Sequence, residues 1–469
     1  MKKIILTLVF ISLLSSCDKD YLNEPKPTST VNSEVIFNSR DGADAFMSGI
    51  LRRSRSQFTA TDSGGLYSMY FARVNKGNDL VLGQMWYLFD YANDNREPTY
   101  RRTKFSWEYP YYMINQLNIF IKGVKESESL SQKDADESLG QAYAMRAFHY
   151  FQLSLEFQHA YNYDPTLPAP PIYDEPAKEG KPMSTMKELY DFIVADLTQA
   201  VALTPETRIN KSYVDKSVAN GILARVYQTM DNWSGAETAA ANAQIGYSLN
   251  AAEYGNGFDD MSSSEWMWAM PQTSDQSNYY YIAPHAFTDN VNDGYGLAFW
   301  NTDFVNLFSE TDVRNTFFDI YGVGDSPVYY ARASSKFTFS FTSDIPIMRS
   351  AEMLLIEAEA KARLGNDTAA ANLLYELQSD RDPNAVASGN TGNALIEEIL
   401  VERRKELYGE IGVEWFDAKR LRRGITRTGN HRVKDPASLT ADDKKFFLKI
   451  PQVEIDANEN IDDSVNSNR

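Results

Sequence analysis

The chain contains a single cysteine, Cys17, and only four histidines, His149, His159, His285 and His431. One cysteine excludes an internal disulfide, so stability has to come from the core. No histidine stands at a zinc-ligand spacing from another. HExxH, GxSxG, P-loop and GxGxxG patterns are missing, so the common hydrolase and nucleotide-binding signatures are missing too. Positive charge is in deficit, with 46 Lys and Arg against 64 Asp and Glu and a net charge of −18. A nucleic-acid partner, which needs a basic face, is thereby excluded. No segment carries the 18 or so apolar residues that a transmembrane helix requires. No cofactor is expected.

Aromatic residues are plentiful, at 13% of the chain, with 28 Tyr, 25 Phe and 7 Trp. They either pack between helices or form surfaces that meet a ligand. Hydrophobic residues make up 43%, enough for a sizeable core.

The N-terminus reads as a targeting segment. Lys2 and Lys3 precede the apolar run Ile4 to Leu14, which is too short to span a bilayer and suits a signal-peptide core. Leu14-Ser15-Ser16-Cys17 is similar to a bacterial lipobox, in which the cysteine is acylated and becomes the new N-terminus. A buried acyl chain anchors because each methylene contributes about 0.8 kcal/mol. Residues 1–16 are therefore read as a lipoprotein signal peptide, and 17–33 as a lipidated tether rich in Pro, Ser, Thr and Asn.

Beyond the tether the rhythm is helical. Leu139, Tyr143, Ala147, Tyr150, Leu153 and Phe157 advance by three or four residues and so share a helix face. Thr185-x-x-Glu188 is a capping box that opens another helix. Two helix pairs are predicted, over about 215–246, with Ser234-x-x-Glu237 as a capping box, and over about 349–380, with Gly365 at the turn. Ala224 and Ala236, and again Ala358 and Ala370, sit twelve apart and allow close helix approach. These offsets resemble the tetratricopeptide helix-turn-helix, although long insertions make an uninterrupted solenoid unexpected. Residues 247–348 lack a sustained period; Glu265 to Ala269 and Lys336 to Phe339 read as brief strands or buried loops.

A family resemblance rests on motifs in a fixed order. They are CDKDYLNEPKP (17–27), YMINQLN (112–118), AMRAFHYF (144–151), FIVADLTQA (192–200), ARVY (224–227), IPIMRSAEMLLIEAEA (345–360), ERRKELYGEIGVEWFDAKR (402–420) and IPQVEIDANEN (450–460). Together they resemble the SusD/RagB family of Bacteroidetes outer-membrane lipoproteins along nearly the full mature length. The resemblance implies a mainly α fold, a tetratricopeptide-like scaffold bearing a large, irregular, loop-rich ligand-binding subdomain. Residues 34–469 would form one SusD-like domain, with helical repeats over about 134–246 and 349–410 and the irregular insertion over about 247–348. It implies a non-enzymatic protein at the cell surface, anchored in the outer membrane by lipid on Cys17. Its partner would be a SusC-like TonB-dependent transporter, and its ligand an oligosaccharide or a peptide. Ile411-Gly412-Val413 departs from the polar pair common in relatives at a helix end that reads as structural.

Ligand-binding candidates follow from composition. Trp86, Tyr87, Tyr279, Tyr281, Tyr295 and Trp300 lie in non-periodic stretches beside Asn75, Asn78, Asp79, Asn278, Asn292 and Asp293. Flat rings suit the C–H faces of sugars, and amides and carboxylates suit their hydroxyls. The charged run Glu402 to Glu410, with Arg349 and Glu352, reads instead as a charged helix carrying i to i+3 and i+4 pairs rather than an active site. Two other classes stay open on the residues alone. One is a helical-repeat envelope adaptor without a small ligand, and the other an extracellular glycoside hydrolase, which needs only two carboxylates across a cleft.

Overall fold

The computed structural model describes residues 36–55, 62–83, 86–274, 284–292 and 295–469. Helices dominate. In chain order the longer ones are α1 (Arg40–Arg53), α2 (Gly65–Asn75), α3 (Arg101–Glu126), α4 (Gln132–Phe157), α5 (Met186–Leu203), α6 (Lys216–Thr229), α7 (Trp233–Gln244), α8 (Ser350–Arg363), α9 (Asp367–Arg381), α10 (Gly392–Leu407) and α11 (Val413–Arg420), with the short α12 (Gln452–Ala457) near the end.

The predicted helix starts hold with one shift. Thr185 and Glu188 form the reciprocal capping box of α5. At α7 the cap is Asn232, whose side chain accepts from the Gly235 amide, so Ser234 and Glu237 lie inside the helix rather than capping it. Gly365 takes a φ of +81°, the left-handed conformation that ends α8. Ala224, Ala236, Ala358 and Ala370 are fully buried where α6 meets α7 and α8 meets α9. The helices form a continuous series in which α3 packs on α4, α4 on α5, α5 on α6, α6 on α7, α7 on α8 and α8 on α9. The step from α7 to α8 spans the whole 247–348 insertion in sequence. The stack is thus interrupted along the chain but unbroken in space.

The insertion is more regular than its composition suggests. The strands in chain order are β1 (Leu80–Leu82), β2 (Pro168–Ala169), β3 (Ser184–Thr185), β4 (Trp266–Met270), β5 (Ala298–Trp300), β6 (Phe317–Phe318), β7 (Ala333–Ser334) and β8 (Ile345–Arg349). They pair antiparallel as β1–β5, β2–β3, β4–β8 and β6–β7. All five residues of β4 are buried, and β8 runs directly into α8, so this pair joins the insertion to the helix stack. Lys336 to Phe339 forms no strand, and Lys336, Phe337 and Phe339 are buried.

The charged run at 402–410 pairs mostly with other elements rather than along its own helix. Arg349, from the end of β8, is fully buried against the carboxylates of Glu265, Glu406 and Glu410. Arg381 reaches Glu265 at 2.8 Å and Glu406 at 3.0 Å. Arg314 joins Asp312 at 2.9 Å and Glu406 at 3.2 Å. Lys336 meets Glu410 at 2.8 Å. Glu352 is buried and pairs not along its own helix but with Arg225 of α6, at 2.5 Å. Burial alone would raise the Glu406 pKa, but Arg381, Arg349 and Arg314 hold it well below the usual carboxylate range. Such a network costs desolvation to form, so it specifies an arrangement more than it adds net stability. It ties the residue before β4, the end of β8, α9, α10 and the insertion to one geometry.

Gly412, at the start of α11, has a φ of +75°, and a Cβ there would lie 2.4 Å from the Cβ of Arg73. The close approach of α11 to α2 requires this glycine, in keeping with its structural reading.

Candidate functional site

The β1–β5 pair sets the geometry of the candidate ligand face. Leu80 faces Trp300, Val81 faces Phe299 and Leu82 faces Ala298, and the Gly83 amide then donates to the Leu297 carbonyl at 2.6 Å. A side chain on Gly83 would come within 2.8 Å of that carbonyl oxygen and 2.9 Å of the Tyr329 ring. Just past this end of the pair, the two chain segments carry Trp86 and Tyr295. Their ring centroids are 6.5 Å apart at 56°.

These two half-buried rings rest on a column that rises from the core. Tyr295 stacks on Phe287 at 5.4 Å and 15°. Phe287 stacks on Phe71 at 4.9 Å and 22°. Phe71 stacks on Tyr67 at 5.8 Å and 26°. Tyr67, Phe71 and Phe287 are buried, so only the top of the column, Tyr295 with Trp86, offers ring surface to solvent. Offset stacking is a favoured ring geometry and adds to the burial of these side chains.

The polar residues nearby hold the loop in shape. The Asp289 carboxylate accepts from the amides of Val291, Asn292 and Phe339 at 2.8, 3.0 and 2.7 Å. Asn290 accepts from the Leu297 amide at 2.8 Å and donates to the Ala298 carbonyl at 3.0 Å. The Tyr295 amide donates to Ala286 at 2.7 Å. Tyr87 and Leu297 have φ values of +63° and +69°, a left-handed region that bulky residues rarely adopt. Strain of this sort persists only where the surroundings over-determine it, and it clusters at ligand sites.

The structure separates the residues that composition grouped together. Trp86 and Tyr295 meet at the surface. Tyr87 points inward: it is buried edge-on against Phe71 and Phe287, and its hydroxyl lies 3.1 Å from the Ser68 hydroxyl. Trp300 has no exposed surface and packs against Tyr408 at 4.8 Å, Phe317 and Phe304. Both are core residues in this arrangement, because strand alternation and the turn at Tyr87 aim them away from solvent. Tyr279, Tyr281, Asn278 and Asp293 lie outside the described residues. Asn75 is buried and donates to the Phe71 carbonyl, Asn78 accepts from Asn301, and Asp79 is paired with Arg404, so all three serve the scaffold. Asn292 stays at the surface near Asp289.

One aromatic patch escaped the sequence reading. Phe299 points to the opposite side of β5 from Trp300 and supports Tyr321, Tyr329 and Tyr330 at 6.1–6.5 Å. Tyr321 is 54% exposed. The guanidinium of Arg432 lies 4.9 Å over the Tyr329 ring and donates to the Leu82 and Gly83 carbonyls. The Tyr329-Tyr330 doublet in a non-periodic stretch was the available signal, but only the strand pairing places it beside Gly83.

Acid–base chemistry finds little support in the histidines. Burial drives all four imidazoles well below their ordinary range, His149 to about 3 and His159, His285 and His431 to about 4. None of them changes charge near neutral pH. Among the described residues, no helix is long and apolar enough to cross a membrane.

Comparison with known proteins agrees with this architecture. Residues 20–228 match a family model described as starch-binding, associating with the outer membrane. Residues 309–466 match the SusD family model. A SusD-like protein, P38, of Formosa agariphila is 22% identical over 90% of this chain and 92% of its own length. The crystal structure of a SusD-like carbohydrate-binding protein from Bacteroides vulgatus has a TM-score of 0.82 at 28% identity, covering 90% of this chain and 97% of that one. A laminarin-binding SusD-like protein has the same fold, with a TM-score of 0.71 at 16% identity over 90% of this chain and 98% of its own. The two family models cover most of the chain between them, and the fold matches a solved SusD-like protein over 90% of the chain: the chain belongs to the SusD/RagB family.

Proposed function

We propose that this protein is a lipid-anchored, non-enzymatic outer-membrane component that binds oligosaccharides at the Trp86–Tyr295 platform and passes them to a SusC-like TonB-dependent transporter. The observation that carries the reading is the ring column from Tyr67 to Tyr295, which ends in two partly exposed aromatic faces on a loop held by Asp289 and Asn290. A platform of this kind binds the C–H face of a pyranose and needs little reorganisation to do so. The laminarin-binding relative and the carbohydrate-binding relative from Bacteroides vulgatus support a glycan as ligand. The anchor rests on the lipobox-like Leu14 to Cys17, and the transporter partner on family membership.

A shallow platform binds weakly, with Kd in the micromolar to millimolar range, or about 4–8 kcal/mol. Titration calorimetry with laminarihexaose, cellohexaose, xylohexaose and mannohexaose tests the reading. Trp86→Ala and Tyr295→Ala are each expected to weaken binding by about tenfold, which corresponds to ~1.4 kcal/mol. Chromatography of the incubated oligosaccharides is expected to show them uncleaved. Binding unchanged in both variants moves the site elsewhere, and cleaved products overturn the non-enzymatic reading.

A further inference from the structure

A second cavity lies away from the β1–β5 face and shares no residue with it. Its volume is about 460 Å³, within the usual range of small-ligand sites. One wall is the middle of α3, with Trp107, Tyr111, Tyr112 and Asn115; the other walls are the 173–180 segment and α12. Tyr112 is 42% exposed, and Tyr111 and Tyr173 each offer part of a ring.

The 173–180 wall is built in place by buried polar groups. Asn118 donates to the carbonyls of Tyr173 and Glu175 at 2.9 and 3.1 Å. Arg146 donates to the Asp174 carbonyl at 2.9 Å, and Asp196 holds the guanidinium from its other side. Just past α12, Asn458 donates to the Lys181 carbonyl at 2.9 Å. A side chain at Gly180 would strike Asn458, with a Cβ only 2.2 Å from its Oδ1, so a glycine is required for this closure. The cavity is therefore a fixed feature of the fold, spanned by groups that have already lost their freedom.

Its chemistry selects the occupant. Asn115, Lys178 and Glu179 line it with exposed polar side chains that can hydrogen-bond an occupant. Glu108, Glu179 and Glu454 against the lone Lys178 disfavour an anion. A cation fares little better. Both oxygens of Glu454 are engaged, by the Trp107 indole at 3.1 Å and by Asn458 at 2.8 Å. Glu108 sits 3.6 Å from Lys104. The Arg53 guanidinium already lies 5.4 Å over the Tyr112 ring. A neutral ligand with an apolar face and several hydroxyls satisfies the rest.

We infer that the groove between α3, the 173–180 segment and α12 is a second, independent binding site for one or two sugar units of an uncharged glycan. It would hold a polysaccharide at a second point, raising the effective concentration of the chain at the Trp86–Tyr295 platform.

The test uses the mature protein with the same four neutral hexaoses and an oligogalacturonate of equal length. Tyr112→Ala removes the exposed ring, and Ala177→Trp fills the groove from its exposed wall and leaves the sequence of α3 unchanged. Melting temperatures confirm folding. Each groove variant is expected to lose one of two calorimetric binding events that the parent shows, while Trp86→Ala loses the other. If binding is lost in Trp86→Ala alone and is parental in Tyr112→Ala and Ala177→Trp, the groove inference falls and the proposed platform stands. If binding is lost in the groove variants alone, the groove stands and the platform falls. No binding of any neutral hexaose by the parent at millimolar concentration, or groove binding confined to the oligogalacturonate, overturns the inference outright.

Discussion

At the residue scale, Trp86 and Trp300 show how far local sequence can mislead. Both stand among Asn, Asp and Gly with no helical period, and composition alone offers no way to tell them apart. Pairing of β5 with β1 sends Trp300 into the core against Tyr408 and leaves Phe299 on the other side. Trp300→Ala is accordingly expected to destabilise the protein by about 3–5 kcal/mol through loss of burial and the cavity left behind. Chemical denaturation checks this, with Trp86→Ala as the surface control at well under half that loss. An equal and small effect of both would show that Trp300 is not packed as described. The structural reading of the Gly412 segment agrees with its left-handed φ, but the approach of Arg73 that requires the glycine is again a tertiary contact.

At the element scale, helix boundaries were legible where capping chemistry is local. Thr185 and Glu188 lie three apart and need nothing else, whereas at α7 two candidate caps compete and Asn232 prevails over Ser234. What an element's charges do was not legible. Glu359, on α8, lies within a helical period of ordinary composition, yet it is fully buried and meets Arg420 at 2.7 Å. Burial alone would raise its pKa, but Arg420 and Arg363 bring it down to about 2 from an ordinary 4.5. A folded-state value below the unfolded one means that the stabilisation is present above pH 4.5 and is lost as pH falls through that value toward 2. The amount is on the order of 3 kcal/mol. Glu359→Gln is expected to lower stability at pH 7 and to flatten the decline between pH 4.5 and 2, as followed by urea melts across that range. A parental acid slope in the variant would assign the loss to other carboxylates.

At the scale of the whole molecule, the proposed anchor separates from the fold. Cys17→Ala is expected to move the protein from the outer-membrane fraction to the soluble one without altering its melting temperature. A variant that still needs detergent for release would remove the lipid from the proposal. The helix stack itself was only half legible. The hairpins α6–α7 and α8–α9 follow from 3.6-residue periodicity and paired alanines, both of which are properties of neighbouring residues. The direct packing of α7 on α8 joins segments about a hundred residues apart, and no local pattern encodes that. The same distinction separates the ordered motifs, helices and lone Cys17, which the sequence determined by itself, from the two proposed binding faces, which it did not. The ring column gathers residues 67, 71, 287 and 295, and the groove gathers α3 with the 173–180 segment and α12. Exposure of a ring depends on what arrives from elsewhere in the chain to cover it, so only the tertiary structure decided which aromatics are core and which are available to a ligand.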